Sequence, residues 1–113
     1  MRRGTTPTLN ISIDYASYDI AAAWITITQG GRIVIDKTLS SDGVTIEDVT
    51  DSQGNTTAII HMTLTQEDTL ALASGKEAAL QIRTLMNDGS AGASSIFKLN
   101  VAAILKEGVI TEG

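Results

Sequence analysis

The segment AAAWITITQGGRIVIDKTL, residues 21–39, limits the fold more than any other part of the chain. Two runs of β-branched and aromatic residues meet at Gly30-Gly31, and paired glycines tolerate the positive φ angles of a primed two-residue turn, so the segment predicts a β-hairpin. The same grammar recurs along the chain. Leu9, Ile11, Ile13 and Tyr15 alternate with polar neighbours just after the only proline, the period of a half-buried strand. A short run, 44–49, lies between the turn clusters SSDG and DSQGN. Residues 57–64 place Ile60, Met62 and Leu64 on one face, with Ile59, His61 and Thr63 on the other. Residues 77–86 direct Ala78, Leu80 and Ile82 inward and Gln81 and Arg83 outward. In 95–102, Phe97, Leu99 and Val101 are read as buried.

Seven short strands separated by turn signals predict an all-β, antiparallel, two-sheet sandwich of immunoglobulin-like type. One short helical turn is expected between strands five and six. There Thr65-Gln66-Glu67-Asp68 fits the S/T-x-x-D form of a capping box, acids in a first turn suit the helix dipole, and Gly75 ends the segment. Leu70 and Leu72 are then expected to fold down onto the end of the core. The rival is one helix over 71–86, because Ala, Leu, Glu and Met favour helix; Ser74-Gly75 argues against its continuity.

With 113 residues, 42% of them hydrophobic and 19% charged, the chain fits one globular domain that buries about 65% of its unfolded surface. It is read as a single domain, 1–113, with an N-terminal arm, 1–7, and a C-terminal tail, 104–113. Thirteen acids against eight bases give a net charge of −5, which disfavours a phosphate-backbone binder. No apolar run approaches the ~20 residues of a membrane span. The basic start lacks the apolar stretch of a secretion signal, so a mature N-terminus is expected. The absence of cysteine removes disulfides, thiolate metal sites and cysteine nucleophiles.

Chemistry-bearing residues are few. Glu67 and Asp68 are accounted for by capping, and a catalytic carboxylate pair would need a cleft that the sequence does not indicate. His61, the only histidine, lacks the G-x-S-x-G context of a hydrolase elbow and is read as a rim residue. DSQGN lacks the alternating carboxylates and distal Glu of a calcium loop and is read as a turn. Gly30-Gly31 has no phosphate-loop context. No enzymatic activity, metal or cofactor is expected. Trp24 has the opposite parity to Ile25 and Ile27, so it is predicted to be exposed and to mark a contact surface.

The opening MRRGTTPTLNISID, the hairpin, the middle block TLTQEDTLAL, the run ALQIRTLMNDGSAGASS and the ending KLNVAAILKEGVI resemble, in that order, small prophage-encoded structural proteins of Gram-positive bacteria. They are similar to the N-terminal sandwich domain of phage baseplate upper proteins. The resemblance implies a virion structural or adaptor role in tail, baseplate or head attachment, made in the bacterial cytoplasm and held in the particle. The implied partners are other virion proteins and further copies of the chain, not nucleic acid or membrane. Expected contact residues are Arg2, Arg3, Thr5, Thr6 and Pro7 in the arm, Trp24, and Leu105, Val109 and Ile110 in the tail, since termini fray unless something holds them. The alternative is a carbohydrate- or cell-wall-binding module using Trp24 and the loop 88–95. A hydrolase centred on His61 is the third reading.

Overall fold

The Gly30-Gly31 hairpin forms as its sequence dictates. β2 (Ile20–Gln29) and β3 (Arg32–Thr38) pair antiparallel, and the two glycines take φ of 62° and 78°, a region that costs other residues about 1–2 kcal/mol. The computed structural model describes residues 1–94, 96–104 and 106–112. Its remaining strands are β1 (Thr8–Ile13), β4 (Val44–Thr50), β5 (Thr56–Thr63), β6 (Ala78–Met86), β7 (Ala91–Ala93) and β8 (Phe97–Leu99). A 3-10 turn, Ser17–Asp19, precedes β2, and one short helix, α1 (Gln66–Leu70), links β5 to β6.

The strands make two antiparallel sheets. One has the order β1-β5-β4; the other has the order β3-β2-β6-β7, with β8 also paired to β6. Immunoglobulin sandwiches place B-E-D in one sheet and C′-C-F-G in the other, and the chain follows that order from β1 onward. No described strand takes the place of A beside β1. Alternation explains why the sheets face each other. Ile11, Ile13, Ala58, Ile60 and Met62 of the first sheet meet Ile25, Ile27, Ile35, Leu80 and Ile82 of the second in one core. Each such side chain contributes about 1.5–3 kcal/mol when fully buried.

The outward face of the smaller sheet is polar, with the hydroxyl pair Thr8–Thr63 at 2.8 Å crossing between strands; a second pair, Thr50–Thr56 at 2.9 Å, closes the β4–β5 end. β6 is a strand throughout, with Ala78, Leu80, Ile82 and Met86 buried, so tertiary pairing with β2 overrides the helical propensity of its residues. At α1, Thr65 Oγ1 accepts from Asp68 N–H at 3.0 Å and Asp68 Oδ2 accepts from Thr65 N–H at 2.9 Å, completing the capping box. Leu72 is fully buried beneath it, and Leu70 is half-buried.

The structure corrects three expectations. Eight strands occur among the described residues: β7 forms within the segment read as the loop 88–95, β8 covers only part of the expected strand 95–102, and the two pair with opposite halves of β6. Phe97 is 40% exposed. It stands opposite Leu80 and so faces inward, but it lies at the rim and is only partly covered. Tyr15 lies beyond the end of β1 and is 39% exposed.

Candidate functional site

The arm and the tail meet at one end of the sandwich. Residues 1–3 run parallel to 100–103: Ala102 N–H donates to Met1 O at 2.7 Å, and Arg3 N–H donates to Ala102 O at 3.1 Å. Arg2 donates to Ala103 O at 2.7 Å. Arg3 reaches further. Its guanidinium donates to Leu72 O at 2.5 Å and Leu70 O at 2.8 Å, and it pairs with Glu107. The carbonyls at the end of α1 lack intrahelical partners, and Arg3 supplies a charged donor to them.

The rest of the arm is also bound to the domain. Thr69 Oγ1 donates to Thr5 O at 2.9 Å, Thr5 Oγ1 donates to Arg2 O at 2.6 Å, and Leu64 N–H donates to Pro7 O at 2.9 Å. Arg3, Thr5 and Pro7 are thus each tied to the domain by hydrogen bonds. Thr6 remains exposed, and with Val109 it borders a shallow hollow beside Gln66 and Glu67. Gln66 holds the tail: its Oε1 accepts from Ile110 N–H at 2.6 Å. The Val109 and Ile110 side chains are left outward, 45% and 77% exposed. Leu105 lies outside the described residues.

Trp24 lies on the outward face of the larger sheet and is 57% exposed. It is paired across strands with Arg83, whose guanidinium carbon stands 5.6 Å from the indole centroid, a cation–π contact worth about 0.5–1 kcal/mol in the open. Leu85, 46% exposed, and the small Ala22 and Ala91 line a hollow of about 190 Å³ with them, which Thr84 also borders. Sequence reasoning placed Arg83 outward but did not join it to Trp24, and it missed Leu85. The signal was present in parity: Arg83 and Leu85 continue the outward row of Gln81.

His61 crosses the outer face of the smaller sheet, with Nδ1 2.5 Å from Asn10 Oδ1 and Nε2 2.7 Å from Glu47 Oε1. This is a cross-strand bridge, and among the described residues no hydroxyl is hydrogen-bonded to the ring. Asp51 Oδ1 accepts from the N–H groups of Gln53 and Asn55 at 2.9 and 3.0 Å. Those backbone bonds, that of Asn55 foremost, hold its carboxyl below the ordinary range, and they make DSQGN a closed turn. At Asp68 burial pushes the carboxyl up, but the Thr65 N–H and Lys37, 3.0 Å away, outweigh it and the net shift is downward. No cluster of three or more His, Asp or Glu suited to a metal occurs among the described residues. Compared with protein-family models and with curated protein sequences, the chain has no match.

Proposed function

We propose that the chain is a non-enzymatic structural adaptor that works by protein–protein docking within a phage particle. The supporting observation is the Trp24–Arg83–Leu85 patch. Trp and Arg are the residue types that most often anchor interfaces, and they do so from rigid, desolvated positions. Here both sit on central strands of a sheet whose other face is the core, so docking costs little ordering entropy. The phage assignment rests on the order of the sequence blocks that resemble prophage structural proteins. Val109, Ile110 and Thr6, at the terminal end, form the second contact region of this reading, and self-association into a symmetric ring or dimer is its expected form.

Glycan binding over Trp24 and the loop 88–95 is the second reading, favoured by the hollow that brings Trp24 and Ala91 together. Arg83 already lies over the indole, which leaves less of the ring for a sugar to stack on. The docking reading is tested by purifying particles from a host that carries the gene and identifying their proteins by mass spectrometry. The chain is expected at fixed copy number relative to other particle proteins. Its absence from intact particles would sink the virion assignment.

A further inference from the structure

The sandwich is open along one side. There β1 has only β5 as a strand partner among the described residues, and β7 and β8 form the facing rim. β6 pairs with β7 as far as Arg83–Ala93 and with β8 as far as Leu80–Phe97. Ser94 mends the ladder at that point, its Oγ accepting from Ile82 N–H at 3.0 Å and its N–H donating to Ile82 O at 2.8 Å.

Beside this rim lies a partly enclosed cavity of about 250 Å³, bordered by Ser12, Asp14, Tyr15, Thr84 and Phe97. Thr84 is 6% exposed, and its Oγ1 has no hydrogen-bond partner among the described residues. A buried hydroxyl without a partner is costly, and natural structures keep few of them. Gly92 is paired with Thr84 on the neighbouring strand. A methyl group on Gly92 would stand 2.8 Å from Tyr15 Oη and 3.1 Å from Thr84 Oγ1, so glycine at this point is what lets two hydroxyls approach one spot.

We propose that this cavity binds one neutral polyhydroxylated ring, a single sugar residue. Thr84 Oγ1, Tyr15 Oη and the Asp14 carboxylate hydrogen-bond to its hydroxyls, and the Phe97 ring, exposed at the mouth, covers its C–H face. Charge selects against the main rivals. The lining holds one acid and no Lys, Arg or His, in a chain of net charge −5, so phosphates and carboxylates are repelled. One carboxylate among hydroxyls is too few anionic oxygens for calcium. Size agrees as well: a cavity of about 150 Å³ accepts benzene, and 250 Å³ accommodates a six-membered ring with its hydroxyls. The site does not depend on the Trp24 patch, because Thr84 points into the sandwich while Arg83, its neighbour, points out.

The test is amide NMR titration of the full chain with D-glucose, D-galactose and N-acetyl-D-glucosamine in turn, into the millimolar range that so small a ligand allows. At least one is expected to give saturable shifts at Tyr15, Thr84, Gly92 and Ala93. Thr84→Val and Gly92→Ala should each weaken it by about fivefold or more, with amide dispersion showing that both variants fold, while Trp24→Ala leaves it unchanged. Should Gly92→Ala not fold, Thr84→Val carries the comparison. The proposal is overturned by no saturable shift with any of the three sugars, by unchanged affinity in Thr84→Val, by shifts centred on Trp24, or by tetramethylammonium saturating the site in their place.

Discussion

Arg3→Ala should destabilise the domain far more than its place near the chain terminus suggests. The wild-type side chain is 16% exposed and donates to two main-chain carbonyls, Leu70 O and Leu72 O. Leu72 itself is fully buried. Hydrogen bonds from a charged donor contribute about 1.5–3 kcal/mol each. Taking the low end for both gives about 3 kcal/mol. Glu107, whose side chain is 61% exposed, adds at most about 0.5 kcal/mol. For a chain of this size about 1 kcal/mol moves Tm by about 4 °C, so a fall of about 12 °C is expected. Arg2→Ala removes one exposed bond, to Ala103 O, and should lower Tm by no more than about 2 °C. Thermal melts followed by circular dichroism at neutral pH compare the two directly. If Arg3→Ala melts within about 2 °C of wild type, the arm is not anchored and the carbonyl contacts carry no weight.

Thr65→Ala removes one half of the capping box and should cost about 1 kcal/mol, read as a fall in Tm of about 4 °C. Thr84→Val replaces a buried, unpartnered hydroxyl with a methyl and should stabilise by about 1 kcal/mol. Urea unfolding should show a higher midpoint with an unchanged slope, and a lower midpoint would mean that the hydroxyl has a structural partner. Asp48, Asp51, Asp68 and Asp88 all have lowered carboxyl pKa values. Each contributes stability that is fully present above the unfolded value of 3.8 and is lost as pH falls through the folded values. Tm should therefore be insensitive to these groups above about pH 5 and drop below about pH 4, with Asp68→Asn flattening part of that acid limb.

Local chemistry made the hairpin, the capped turn and the exposure of Trp24 readable before any coordinates. Gly30-Gly31 states its own turn, Thr65 and Asp68 stand at the reciprocal spacing of a cap, and parity alone puts Trp24 opposite Ile25. What could not be read was which surfaces other segments cover. Alternation assigned Phe97 to the inward face, and it does face inward, but a period of two says nothing about whether a neighbouring strand closes that side. Likewise the arm, with its two arginines, reads as a loose terminus. Arg3 finds its acceptors 67 and 69 residues away, a match no local pattern encodes. Leu85 joins Trp24 and Arg83 only through the β2–β6 register, and the rim cavity draws on β1, β6 and β7 together. Contacts of this range depend on packing, and for them sequence parity is a necessary but insufficient guide.

The proposed role has the Trp24 face dock this chain into a particle. It is tested most directly by supplying wild-type chain and the Trp24→Ala, Leu85→Ser double variant together to a host producing particles, then measuring their ratio in purified particles by isotope-labelled mass spectrometry. Both substituted side chains point out of the larger sheet, so the variant should retain the wild-type circular dichroism spectrum. The variant is expected to be depleted in particles at least about tenfold relative to its share in the cell, the loss expected for two interface anchors. Equal incorporation of a folded variant would contradict it.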